Sequence, residues 1–149
     1  MAYKVPLFRI ALVRERGVTL EIEEDRASQP SEVHRICKAM IKDSPKEHFI
    51  LLMLNANNRI IGVTVLSIGT LTASLVHPRE VYQPAILRSA ASIVVAHNHP
   101  SGDPTPSAED REATRRLAEA GRLLGVPLLD HGVIADKSWY SFKEHGLLE

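Results

Sequence analysis

The stretch His97-Asn98-His99-Pro100-Ser101-Gly102-Asp103-Pro104-Thr105-Pro106-Ser107-Ala108-Glu109-Asp110 constrains this chain more than any other. It sets two histidines, a hydroxyl and several carboxylates between an apolar strand candidate, Ile93 to Ala96, and a long amphipathic helix. Side chains two apart on a strand share a face, so His97 and His99 can offer both imidazoles to one metal ion. A loop of proline and glycine then carries the chain back, and Asp110 falls on the first turn of the helix. Two histidines and one carboxylate make three protein ligands. A tetrahedral zinc ion held this way keeps one position for water, the arrangement of catalytic rather than structural zinc. The pattern points to a hydrolytic metal site.

Each piece also has a plainer explanation. Ser-x-x-Asp at a helix start resembles a capping box, with Ser107 capping a backbone N–H and Asp110 at the positive helix end. Either histidine alone could be a buried, hydrogen-bonded core residue. Capping, however, does not require two strand histidines on one face just upstream. Asp103 lies in a Gly-Asp-Pro turn, where aspartate bonds its own backbone. Glu109 is turned about 100° around the helix from Asp110. Both read as turn and surface residues rather than ligands.

The rest of the chain alternates strand and helix signals. Val5–Val13 and Val18–Ile22 read as strands about a turn at Gly17. Val33, Ile36, Cys37, Met40 and Ile41 share one face of a helix from about Ser31 to Ile41. Phe49–Leu54 is almost continuously apolar, as a strand buried on both faces should be. Asn55-Ala56-Asn57-Asn58 turns the chain into a second strand, Arg59–Ser67, and Leu71–Val76 reads as a third. A helix follows between Arg79 and Ala91, where Pro84 predicts a late start near Gln83 or a kink. The helix Ala108–Leu124 has an inward stripe of Ala113, Leu117, Ala120 and Leu124, and Gly125 and Pro127 stop it. Val126–Ala135 closes the sheet before a short Trp139–Phe142 element. This is an α/β chain around a central mixed sheet, expected to be one domain over 1–149, with a strand-rich extension at 1–29.

Composition excludes several classes. Lys plus Arg equals Asp plus Glu at 18 each, so the net charge is zero and no overall basic character points to nucleic acid. Arg111, Arg115 and Arg116 read as a solvated helix face. The single cysteine, Cys37, allows neither an internal disulfide nor a cysteine metal site, and its position predicts core packing. No apolar run approaches the roughly 20 residues of a membrane span, and the N-terminus lacks signal-peptide features. A cytoplasmic location with no membrane partner is expected.

The run from His97 to Asp110 resembles the JAMM motif of MPN/JAB metalloproteases: His-x-His-Pro, seven residues from the second His to a Ser, then x-x-Asp. The fuller string resembles the RadC branch of that family. Leu66-Ser67-Ile68-Gly69-Thr70-Leu71, His77-Pro78-Arg79-Glu80-Val81 and Leu128-Leu129-Asp130-His131 extend the likeness over residues 30–149. It implies an MPN/JAB domain with a layered fold related to cytidine deaminases, and Zn²⁺ held by His97, His99 and Asp110. Activity would be hydrolysis of an amide bond in a peptide or protein substrate. It also implies a glutamate base upstream at the start of a buried strand, which Glu47 fits. Glu80 is the rival, although its place on a helix first turn accounts for it without catalysis. By the same resemblance Ser107 would donate to the carbonyl oxygen as it gains charge. His131 would be a supporting group behind the metal or an ordinary strand residue, and His77 a structural residue before proline.

Other functions stay in view. RadC proteins carry a traditional link to DNA repair, and longer members have a helix-hairpin-helix segment for which this chain is expected to be too short. A non-catalytic MPN binding module is a third reading. Zinc deaminases need His-x-Glu with Pro-Cys-x-x-Cys, which one cysteine cannot supply.

Overall fold

The computed structural model describes residues 1–17, 26–27, 29–41, 45–68 and 76–148. Three helices and five strands follow in the order α1 (Pro30–Ile41), β1 (His48–Leu54), β2 (Ile60–Ile68), α2 (Pro78–Leu87), β3 (Ser92–Asn98), α3 (Ala108–Leu124), β4 (Leu128–Ile134) and β5 (Trp139–Ser141). The strands form one mixed sheet in the order β2-β1-β3-β4-β5. β1 is antiparallel to β2 and β3, β3 and β4 are parallel, and β5 returns antiparallel to β4. A parallel pair needs a long crossover, and α3 supplies it. This is the α/β architecture around one central mixed sheet that the sequence predicts.

Alternation along the central strands divides the core. Phe49, Leu51 and Met53 of β1 and Ile93 and Val95 of β3 point to one face, where Val81, Tyr82 and Ala85 of α2 and Leu117 of α3 cover them. Ile50, Leu52, Leu54, Val94 and Ala96 point to the other, against Val33, Ile36, Cys37 and Ile41 of α1. Both strands are therefore wholly apolar through their middles. Cys37 is buried and fills core space.

Local chemistry fixes the element ends. Asn55 Oδ1 accepts from the backbone N–H of Asn57 and Arg59, closing the β1–β2 turn. His77 caps α2 by accepting from Arg79 N, and Pro78 follows with its φ already suited to a helix. The helix thus starts at Pro78 and runs through Pro84, earlier than the expected start near Gln83. α3 ends at Gly125, whose φ of 71° is left-handed and suits glycine.

Two other expectations are revised. Residues 1–17 form no strand, and Val5, Leu7, Phe8, Ile10 and Val13 are exposed. An apolar run becomes a strand only where a partner satisfies its backbone, and Val5–Val13 has none among the described residues. Its expected partner, Val18–Ile22, lies outside them, as does most of Leu71–Val76. Along α3 the buried stripe is Ala113, Thr114, Leu117 and Gly121, while Leu124 is 46% exposed. The Tyr82 hydroxyl donates to Leu117 O at 2.8 Å, and Tyr82 and Val126 lie so close to Gly121 that a Cβ there would collide with both. Leu124 lies beyond this contact, on the last turn. No helix among the described residues is long and apolar enough to cross a membrane.

Candidate metal centre

β3 is buried along its length and delivers His97 on its next-to-last residue. His99 follows just past the strand, with its N–H held by Ile134 O at 2.8 Å. Gly102, at φ 90°, then turns the chain, and Asp103 Oδ1 accepts from Thr105 N. α3 begins with a full capping box. Ser107 Oγ accepts from Asp110 N at 3.1 Å, and Asp110 Oδ2 accepts from Ser107 N at 2.8 Å. The cap orients the Asp110 carboxylate at the positive end of the helix, where negative charge is stabilised. The site therefore lies between the C-terminal end of β3 and the N-terminus of α3.

The three side chains converge. His97 Nε2 is 3.1 Å from His99 Nε2 and 3.2 Å from Asp110 Oδ1, and His99 Nε2 is 3.2 Å from Asp110 Oδ2. Bonds of about 2.0–2.2 Å to a tetrahedral zinc ion place neighbouring ligand atoms about 3.3–3.6 Å apart; the two imidazole nitrogens are near that spacing, each faces a different oxygen of the Asp110 carboxylate, and one ligand atom from each of the three residues lies within 4.8 Å of the others. His99 Nδ1 lies 2.9 Å from Asp103 O; a carbonyl only accepts, so Nδ1 carries the hydrogen and a neutral ring keeps its lone pair on Nε2. The donor set is two imidazoles and a carboxylate, which suits zinc. His97 is 3% exposed at its side chain, while His99 and Asp110 are 18% and 17% exposed, so the cluster opens to solvent on the Asp110–His99 side.

Electrostatics matches this geometry. Burial raises the Asp110 pKa, but hydrogen bonds with His97 and His99 outweigh it and hold the carboxyl well below its usual range. The bond to Asp110 raises His99, with a smaller contribution from the charge of Glu47. Burial lowers His131.

Glu47 stands where β1 meets the site. Phe49 pairs with His97, so the register continued just past the two strand ends sets Glu47 opposite His99, near enough for its charge to act on that ring. Asn98, whose side chain points the other way, grips the chain around Glu47. Its Oδ1 accepts from His48 N at 2.6 Å and its Nδ2 donates to Lys46 O at 2.9 Å. Glu47 is half-buried. Glu80 sits exposed on the first turn of α2, 3.7 Å from the guanidinium of Arg79.

Asp103 and Glu109 are exposed, and Asp103 is occupied by its turn. Ser107 is exposed at the mouth of the site. Because its oxygen accepts in the cap, its own hydroxyl hydrogen is left to donate elsewhere. Three supporting residues carry more than their sequence context suggested. His131 is buried with Nε2 2.7 Å from His97 Nδ1, and Thr114 Oγ1 lies 2.6 Å from His131 Nδ1. Asn98 is the third. A polar residue on the apolar face of α3, one turn past Asp110, was the only signal for Thr114.

A family model for the RadC-like JAB domain matches residues 27–147. The chain belongs to the RadC-like JAB family. A UPF0758 protein of Rubrobacter xylanophilus is 46% identical to this RadC-like chain over 142 residues, 95% of the chain and 62% of that protein. One from Symbiobacterium thermophilum is 60% identical over 102 residues, 68% of the chain and 44% of the relative. One from Caldanaerobacter subterraneus subsp. tengcongensis is 47% identical over 137 residues, 92% of the chain and 59% of the relative. The RadC-like chain thus spans about half of the length of these relatives, somewhat more for two of them.

Proposed function

We propose that this RadC-like JAB domain is a zinc-dependent hydrolase of the JAMM type, acting on an amide bond in a peptide or protein. The observation that carries the reading is the convergence of His97 Nε2, His99 Nε2 and the Asp110 carboxylate at 3.1–3.2 Å, open on one side. Those three residues would hold the ion. Zinc bound there supplies Lewis acidity, making water a better nucleophile and a carbonyl a better electrophile at neutral pH.

The chain's own residues do the rest. Glu47, across from His99, takes the proton from the attacking water and returns it to the leaving nitrogen. Ser107 donates its hydroxyl hydrogen to the carbonyl oxygen as negative charge develops there, while its lone pair keeps the α3 cap. Asn98 holds the backbone on both sides of Glu47, so the base arrives without a search.

The test compares zinc-loaded variants on linear peptides and on lysine-linked isopeptides. Glu47→Gln is expected to keep zinc and lower kcat by about 10²–10⁴-fold. Glu80→Gln is expected to leave kcat nearly unchanged. A reversal of the two would move the base to Glu80. No turnover of any amide by zinc-loaded wild type would contradict the reading.

A further inference from the structure

We propose that a cleft beside the metal centre, walled by α3 and by the turn at 142–148, docks an extended acidic peptide with apolar residues between its carboxylates. The inference stands apart from the hydrolase reading, because none of His97, His99 and Asp110 lines the cleft.

The helical wall follows from the period of α3. Arg111, Arg115, Ala118 and Arg122 are spaced four, three and four residues apart, so they share one face over about 16 Å of helix. That face lies about a quarter turn from Asp110, so the cleft runs beside the metal cluster rather than into it. Pro127, Leu128, Phe142, Leu147 and Leu148 line the rest, and the space enclosed is about 400 Å³. That is a size at which ligand sites are found.

The far wall is braced. Buried Asp130 accepts from His131 N at 2.7 Å, Ser141 Oγ at 2.7 Å and Lys143 N at 3.0 Å, which ties the turn to β4. Leu147 N then returns to Phe142 O at 2.9 Å, and Gly146 makes the bend at φ 70°. Phe142 stacks on His131 with ring centres 5.0 Å apart. A wall fixed in this way is shaped before any ligand arrives, which removes an ordering cost from binding.

Charge and apolarity together select the occupant. Arg115 commits its guanidinium to Glu112 and Glu119, each at 2.7 Å. Arg111 and Arg122 are exposed, and their side chains have no hydrogen bond or ion pair among the described residues. Two guanidiniums thus stand toward the two ends of this face, and each can take a carboxylate in bidentate fashion. Between them the surface is aliphatic, with Leu147 47% exposed beside Pro127 and Ala118. The same 16 Å or so is spanned by about five residues of extended chain. A short stretch with glutamates toward its ends and leucine-like residues between them matches both features. A nucleic acid matches less well. Glu112 and Glu119 repel a continuous phosphate backbone, and Phe142, the aromatic ring in the lining, is buried against His131 and offers no face for base stacking.

The experiment titrates zinc-free and zinc-loaded protein into a fluorescein-labelled peptide, Glu-Leu-Glu-Leu-Glu, read by anisotropy, with ¹H–¹⁵N NMR to locate it. Saturable binding is expected in both forms, with shifts on α3 from Arg111 to Arg122 and at residues 142–148. Arg111→Gln combined with Arg122→Gln should weaken binding about tenfold. Arg35→Gln combined with Arg79→Gln removes equal charge from exposed positions of α1 and α2 and should change little. All four positions are exposed, so melting temperatures should stay near wild type. Replacing the peptide leucines by serine should also weaken binding. The proposal is overturned by absence of saturable binding, by shifts elsewhere, by equal losses in the two double variants, or by equal binding of the serine peptide. Displacement by a single-stranded oligonucleotide of equal charge would give the cleft to nucleic acid and overturn it as well. A domain that binds this peptide but hydrolyses no amide supports this inference and counts only against the hydrolase reading.

Discussion

Asn98 and Glu47 are joined through the backbone rather than through side-chain contact. Asn98 takes the N–H that follows Glu47 and gives a hydrogen to the C=O that precedes it. The residue between the two candidate metal ligands thus fixes where the candidate base enters. Its side chain faces away from the metal cluster, so it can be changed without removing a ligand.

Asn98→Leu is expected to retain zinc and lose activity about 10–100-fold, the usual cost of a supporting group. Steady-state kinetics beside metal analysis checks this. Loss of zinc in step with activity would instead make Asn98 part of the metal cradle.

Ser107 has two separable roles, capping α3 and donating to substrate. Ser107→Ala should lose about 1 kcal/mol of stability with the cap and about 10²-fold in kcat with the donor. Ser107→Asp caps as well as serine but has no hydrogen to donate at neutral pH. It should recover the melting temperature and leave kcat low. Recovery of both would reduce Ser107 to a cap.

The protein should weaken at alkaline pH for a reason that lies in the core. Burial pushes the Cys37 thiol from 9.0 up to about 12, and the Tyr82 phenol from 10.0 up to about 12. Above pH 9 the unfolded chain releases protons that the folded chain still holds. The unfolded state then binds fewer protons, so stability falls as pH rises, by up to about 1.4 kcal/mol per pH unit for each group. Denaturant unfolding from pH 8 to 11 should show the decline, and Cys37→Ala and Tyr82→Phe should each flatten it. Curves parallel to wild type would contradict the assignment.

Much of this architecture is legible in the residue order because local signals agree with the packing. Ala108–Leu124 carries its own cap, its own glycine stop and an apolar stripe, and α3 has those bounds. The spacing of His97 and His99 encodes a shared strand face, and Ser107-x-x-Asp110 encodes both a helix start and a carboxylate placed near it. What escaped depends on partners distant in the chain. The apolar residues of Val5–Val13 look strand-like, yet a strand is made by its neighbour. Thr114 reads as an ordinary polar residue until β4 brings His131 against it. Asn98 acquires its role only from the β1–β3 register, which no local pattern specifies. Leu124 has the right helical phase, but the Tyr82 contact at Gly121 ends the buried stripe before it.

The central claim is that His97, His99 and Asp110 form one metal centre, and metal content tests it most directly. Elemental mass spectrometry of purified wild type and Asp110→Ala, both supplied with zinc and dialysed, gives the answer. The expected result is about one zinc per chain in wild type and a sharp loss in Asp110→Ala, which removes one of three protein ligands. A wild type that stays metal-free, or an Asp110→Ala protein that holds zinc equally well, would contradict the account and leave Ser107 and Asp110 as a helix cap.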